Sequence, residues 1–450
     1  MGTIAAISTP IGVGGISVVR VSGEESFEIS QKVFKSYDGT LLKDMKGFTC
    51  KLGKIFYNQK CIDEVICTVF KSPKSFTGEN MVQISCHGGL FITRCVLRSL
   101  LESGARMAGP GEFTKRAFLN GKISLEKAES IMGLISSNYE KEREINFSSY
   151  CGNLGNKINA LKDKLVDLLS DLNASLDYPD EDVPEISDEQ ILDILKLVSS
   201  ELKSLSDSYT VSSIIKNGSR TAIVGAPNTG KSTLMNLLSN REKSIVTDIP
   251  GTTRDAIEEN IILGDSHLVL IDTAGIRETC DKIEKIGVEK SKEIAKNADL
   301  IFMMVDASRD IYNEELEILN SIDKNKTMII VNKIDINRNY KLDIFKNMNV
   351  VCMSAKTGEG IDCLTKKVSD FLNISSIQSG SLLLSTERQY DIINKAYIKI
   401  SEVINNISSV PRDIFVDMIK EILKILSEFT GENVEKEIVD SIFSKFCVGK

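Results

Sequence analysis

Long apolar runs are missing from this sequence. No stretch approaches the ~18 residues that a membrane span needs, and the longest, Leu300 to Val305, is strand-sized. The start, MGTIAAISTPIGVGG, lacks the basic opening and apolar core of a secretory signal, and it is not an Arg/Ser-rich leader. Gly2 has no hydroxyl residue where a myristoylation signal requires one. The expectation is a cytoplasmic protein without a membrane partner. Paired cysteines are missing too: ten cysteines are scattered singly with no CxxC, which argues against zinc sites and a disulfide framework. Two histidines, His87 and His267, leave little for a His-based metal centre. Internal repeats and low-complexity tracts are also absent.

A global basic field is likewise lacking, because the formal net charge is −8. The charge is uneven, however. Residues 1–118 hold 15 Lys/Arg against 10 Asp/Glu, so the first third is the better candidate for an anionic partner.

What is present suggests about three domains in 450 residues. Residues 1–118 carry short β-rich runs (Ile16–Val21, Val65–Phe70, Met81–Ser85) and a helical stretch near Phe91–Leu101, the pattern of a small α+β domain. Residues 119–215 turn helical, with Leu161, Leu165, Leu168, Leu169 and Leu172 on one face. An acidic, proline-bounded link from Asp177 to Pro184 interrupts them. Residues 216–373 alternate strands and helices, which predicts a doubly wound, mainly parallel α/β sheet. Residues 374–450 return to helix, with a stripe of Ile414, Met418, Ile422, Ile425 and Phe429. The economical arrangement is an all-α domain split by an inserted α/β nucleotide domain.

Chemistry concentrates in that insertion. Gly225-Ala226-Pro227-Asn228-Thr229-Gly230-Lys231-Ser232 fits GxxxxGK[ST] between a predicted strand and helix. Backbone N–H groups of such a loop curl around phosphates, and the helix N-terminus adds its dipole. Lys231 is then expected on the β- and γ-phosphates and Ser232 on Mg²⁺. Gly251-Thr252-Thr253 reads as a switch loop whose Thr253 offers a second Mg²⁺ hydroxyl. Asp272-Thr273-Ala274-Gly275 closes an apolar strand, with Asp272 near the Mg²⁺ shell and Gly275 near the γ-phosphate. Asn332-Lys333-Ile334-Asp335 follows the next strand. A carboxylate at Asp335 accepts the N1–H and 2-amino hydrogens of guanine, which adenine lacks; such a site rejects the wrong base by roughly 10⁴-fold. Ser354-Ala355-Lys356 closes the base pocket. Ile276 stands where Ras-type proteins have their water-orienting glutamine, leaving Glu278 and Glu284 as the nearest acidic candidates.

Further segments carry a resemblance over essentially the whole chain: Thr9-Pro10 through Gly23, Ser75–Glu79, Cys86-His87-Gly88-Gly89, Pro110 through Lys122, the Asp177–Glu185 link and the terminal Phe446-Cys447-Val448-Gly449-Lys450. Together with the nucleotide motifs, the chain resembles the MnmE (TrmE) family of tRNA-modification GTPases. The resemblance implies an α+β N-terminal domain that forms a homodimer and binds a folate one-carbon donor, 5-formyl- or methylene-tetrahydrofolate, beside a helical domain and an inserted Ras-like P-loop GTPase domain. It implies nucleotide contacts that add Thr233 and the run Thr247-Asp248-Ile249-Pro250 to those above. Potassium would be held by Asn228, Thr247, Ile249 and Thr252, and Glu284 takes the place of the family's water-orienting glutamate. Arg20, Glu79, Lys122 and Lys450 correspond to the folate site. Cys447 reads equally as a packing cysteine or a reactive one, and reactivity would require a lowered pKa.

The implied function is a potassium-dependent GTPase that works with an MnmG-like (GidA) FAD protein, as a heterotetramer, on C5 of the wobble uridine (U34) of certain tRNAs. The group added would be aminomethyl or carboxymethylaminomethyl. A regulatory switch GTPase in ribosome assembly is the alternative. Ser124, where an acidic residue is common, and Gly109 depart from the family pattern without touching a proposed ligand.

Overall fold

Period-two alternation builds the first sheet: Val65, Cys67 and Val69 face inward while Glu64 and Ile66 face out. The computed structural model describes residues 2–177, 186–241, 258–271, 295–337 and 343–450, except 376, 378, 379, 408 and 433. The strands are β1 (Ile4–Ile7), β2 (Ile16–Ser22), β3 (Phe34–Ser36), β4 (Thr49–Tyr57), β5 (Lys60–Phe70), β6 (Met81–His87) and β7 (Arg106–Met107). Their spatial order is β3-β4-β5-β6-β2-β1-β7. Pairing is antiparallel except for β7, which runs parallel to β1. Helices α1 (Ser26–Val33) and α2 (Leu90–Glu102) set Ile29, Val33, Val96 and Leu100 against Val19, Val21, Ile55 and Ile84. The three anticipated strand runs lie within β2, β5 and β6, and the anticipated helix within α2. Strand β4 buries only Gly53 and Ile55, so charges interrupt its pattern.

Beyond α3 (Glu112–Leu119), helices α4 (Leu125–Ser136), α5 (Glu140–Tyr150), α6 (Asn153–Asp177) and α7 (Asp188–Asn217) follow. Leu161, Leu165, Leu168, Leu169 and Leu172 are all buried along α6, as their spacing requires. Ser187 starts α7 with a capping box, exchanging bonds with Gln190 of 3.3 and 3.0 Å. The acidic link lies largely outside the described residues.

The second sheet comprises β8 (Ser219–Gly225), β9 (Glu258–Leu263), β10 (Ser266–Ile271), β11 (Leu300–Asp306), β12 (Thr327–Asn332) and β13 (Asn349–Cys352), in the order β13-β12-β11-β8-β10-β9. All pairs are parallel except β9–β10. Every residue of β11 and β12 is buried, as expected of central strands covered on both faces. Helices α8 (Lys231–Arg241), α9 (Asn313–Ser321) and α10 (Ile361–Phe371) belong to this region. The expected mainly parallel sheet is present, with β9 as its antiparallel edge.

The last helices are α11 (Glu387–Asn406), α12 (Arg412–Thr430) and α13 (Lys436–Ser444). Helix α11 packs on α7, where Tyr209 and Tyr390 stack at 4.7 Å. The stripe expected on α12 holds at Ile422 and Phe429 and is corrected at Ile414. Phe415, Ile419, Ile422, Leu426 and Phe429 are buried, whereas Ile414 is 48% exposed. Two apolar stripes overlap in that sequence and share Ile422 and Phe429.

The chain gathers into two compact units, residues 1–132 with 423–450, and residues 133–422. In the first, the end of the chain is stitched to its beginning. Gly111 N donates to Cys447 O (3.3 Å), Phe113 N to Lys450 O (3.1 Å), and Ser8 Oγ to Gly449 O (3.0 Å).

Candidate functional site

The glycine loop joins β8 to α8, so its backbone is set by two rigid elements. Gly230 has φ +97°, and a Cβ there would overlap the Asn332 amide, so glycine is required on both counts. Within the loop, Thr229 Oγ1 donates to Ala226 O (2.8 Å). Lys231 Nζ donates to the Gly225 and Ala226 carbonyls at 2.9 and 2.8 Å. Burial pushes the Lys231 ammonium below its ordinary pKa, against the opposing field of Glu315.

Asn332 ties three segments together. Its Nδ2 donates to Thr229 O at 2.8 Å, and its Oδ1 accepts from Ala355 N at 2.8 Å. One amide thus links the glycine loop, the end of β12 and the Ser354-Ala355 turn. Ser354 is buried and shapes that turn: Thr357 N donates to its Oγ and Gly358 N to its carbonyl. Lys333 has φ +66° and places Nζ 2.6 Å from Asp306 Oδ2. Asn228, Ser232, Thr233, Asp335 and Lys356 are exposed around these groups. Thr247, Asp248, Ile249, Pro250, Gly251, Thr252, Thr253, Asp272, Thr273, Ala274, Gly275 and Glu284 lie outside the described residues. Sequence reasoning missed Asp306, although an acid closing an apolar strand is the same signal that flagged Asp272.

A second constellation occupies the first unit. Arg20 lies opposite Gln83 in the β2–β6 register and donates to its amide oxygen at 2.9 and 3.1 Å once that amide is turned to face it. The guanidinium sits 5.6 Å from both the Phe76 and Phe113 rings. Burial pushes Arg20 down, and burial followed by the charge of Arg20 pushes Lys450 down. Both are half-buried, and the charge of Arg20 is felt at Lys450. Glu79 is otherwise engaged: Arg116 Nη1 donates to it at 3.0 and 3.1 Å and Ser22 Oγ at 2.8 Å. Lys122 Nζ reaches Pro73 O at 3.0 Å, while Asn120 holds Thr77 O at 2.7 Å. The structure thus puts Lys450 within the field of Arg20, sets Glu79 on the loop that carries Phe76, and brings Lys122 from beyond α3 to Pro73 of that loop. Arg116, 1% exposed, is the residue that sequence reasoning left without a role.

A parallel sheet with a glycine loop after β8 and base-pocket turns after β12 and β13 defines a P-loop nucleotide-binding α/β domain. Two family models match the chain: "GTP-binding protein TrmE N-terminus" over residues 3–122 and "MnmE helical domain" over residues 125–447. The tRNA modification GTPase MnmE of Lactobacillus gasseri is 39% identical over 456 residues, covering 100% of this chain and 98% of that protein. Its namesake in Alkaliphilus oremlandii is 40% identical, covering 100% and 99%. Among solved structures, the G domain of the T. maritima FeoB iron transporter is 25% identical over 34% of this chain and 98% of that one, with a TM-score of 0.26. The chain belongs to the MnmE (TrmE) family. Among the described residues, no helix is long and apolar enough to cross a membrane.

Proposed function

We propose that this chain is a GTP hydrolase that acts in tRNA modification. The observation that carries the nucleotide part is the Asn332 amide, which holds the glycine loop and the Ser354-Ala355 turn at fixed distance. A purine base and its phosphates then meet a pocket that is already assembled. Lys231, lowered by burial, exchanges its two loop carbonyls for phosphate oxygens. Asp335, exposed beside Lys333, accepts the two donors of the guanine edge.

The exposed Ser232 hydroxyl at the first turn of α8 suits a hard cation, and Thr253 is its proposed companion on Mg²⁺. Asn228, at φ +63° on the loop surface, is offered as a potassium ligand with Thr247, Ile249 and Thr252. Such ions, when bound, supply positive charge where negative charge builds on the transferring phosphoryl group. Glu284 is assigned to orient the attacking water.

Arg20 and Lys450 form the fit for a folate. Two adjacent cations in a partly dry setting favour a carboxylate ligand, and Phe76 and Phe113 offer aromatic surface beside them. Lys122 and Glu79 complete the proposed set, Glu79 through its Arg116-anchored carboxylate. Under this reading the domains run 1–118, 119–215, 216–373 and 374–450, and the first forms a homodimer. A flavoprotein of the MnmG (GidA) kind is the cytoplasmic partner in modifying U34 of tRNA.

Hydrolysis measured in potassium and in sodium tests the catalytic part. Turnover should fall at least tenfold in sodium with nucleotide affinity nearly unchanged, and Glu284→Ala should lower it similarly. Equal rates in both salts would remove the potassium assignment. Mass spectrometry of wobble uridine from cells lacking the protein tests the tRNA part, and unchanged modification would sink it.

A further inference from the structure

Asp306 ends β11 and lies opposite Asn332 in the β11–β12 register. Its side chain is only 6% exposed, and it is held between Lys333 of the base motif and Ser308 of its own turn. Oδ2 accepts from Lys333 Nζ at 2.6 Å, while Oδ1 accepts from Ser308 N at 2.9 Å and from Ser308 Oγ at 2.6 Å. The next residue continues the tie, since Ala307 N donates to Asn332 O at 2.8 Å. Burial pushes the Asp306 carboxyl up, but Lys333 and Ser308 outweigh it and hold it below the usual carboxylate range.

Lys333 needs such an anchor. A lysine is a point charge on a flexible four-carbon stem and samples many rotamers when free. Its left-handed backbone turns it out of the strand between Asn332, which holds the loop, and Asp335, which is exposed. Resting on the guanine-nucleotide reading above, we propose that Asp306 is a positioning residue for base recognition, fixing Lys333 Nζ so that its methylene stem is set beside the base before nucleotide arrives. The ordering cost is then met during folding rather than on binding. Asp306 touches no nucleotide in this arrangement and acts through the lysine alone.

Calorimetric titration of the full chain with GDP in Mg²⁺ tests this. Asp306→Asn should weaken GDP about tenfold, the worth of one charge-assisted hydrogen bond, while kcat at saturating GTP stays within about twofold. Lys333→Ala should weaken GDP as well, and the double variant should be no weaker than Lys333→Ala alone, because one acts through the other. Losses that simply add, or Asp306→Asn binding as tightly as wild type, would overturn the proposal. Should Asp306→Asn fail to fold, Ser308→Ala decides: Ser308 is exposed, and leaving Oδ1 with only the Ser308 N–H should weaken GDP roughly two- to threefold. Undiminished affinity there would also overturn it. Failure of the wild type to bind GDP would instead refute the nucleotide reading itself.

Discussion

Arg116 holds together groups far apart in sequence. It bonds Glu79, 37 residues away, the carbonyl of Gly2, 114 away, and Glu112 one turn earlier. Burial pushes the Glu112 carboxyl up, but Arg106, the Gly109 N–H and Arg116 outweigh it and hold it below the usual carboxylate range. Its folded pKa is thus below the unfolded one. Its stabilisation is therefore complete above the unfolded value and is lost as pH falls through the folded value. We expect Glu112→Gln to be less stable than wild type near neutral pH, with the gap closing below about pH 4. Urea unfolding at several pH values checks this, and a gap that widens on acidification would contradict it. The same residues show what a sequence discloses. The Asn332–Asp335 motif could be picked out because its residues are contiguous in the sequence. Arg116 could not, since its role comes from partners brought close only by folding; Asp306 carried the strand-closing signal of Asp272, but its bond to Lys333 is visible only in the fold.

At the scale of elements, the parallel sheet and the leucine face of α6 were readable because their periods are strong and long. The stripe on α12 was readable at Ile422 and Phe429 but not at Ile414, because two apolar faces overlap in that helix and packing chooses between them. Small contacts between helices escape sequence reading altogether. Gly133 lies inside α4, where alanine would ordinarily favour helix by about 1 kcal/mol. Yet an added Cβ would overlap the buried Asn146 side chain of α5, which donates to Ser137 Oγ (3.1 Å) and Glu142 O (3.0 Å). Gly133→Ala should therefore destabilise the protein by about 1–3 kcal/mol despite its better propensity. A thermal melt checks the sign, and stabilisation would show that Asn146 can move aside.

On the scale of the whole molecule, the first unit depends on its distant second segment. Deleting residues 447–450 removes the acceptors of Gly111 N, Phe113 N and Ser8 Oγ. The loss should be about 2–6 kcal/mol, given ~1–3 kcal/mol for each of the two buried N–H groups, of Gly111 and Phe113, left unmatched. Hydrogen exchange checks it: protection should fall in residues 1–132 and stay unchanged in the central sheet. Uniform loss across both sheets would mean that the two units unfold as one.

The stitching of residues 423–450 onto residues 1–132 also has a meaning in time. The ribosome makes the whole of residues 133–422 between the two halves of that unit. At about 5–20 residues per second, the earlier half waits roughly 15–60 s for the later one. During that interval the edges that α13 and the final residues cover are open, including the backbone groups of Gly111 and Phe113. The second sheet, whose strands run contiguously from β8 to β13, is synthesised in full while the first unit still lacks its last segment. The newborn chain therefore passes through a stage at which both sheets have been synthesised while the faces of α3 and α4 that await α13 are open to chaperones, proteases and other nascent copies.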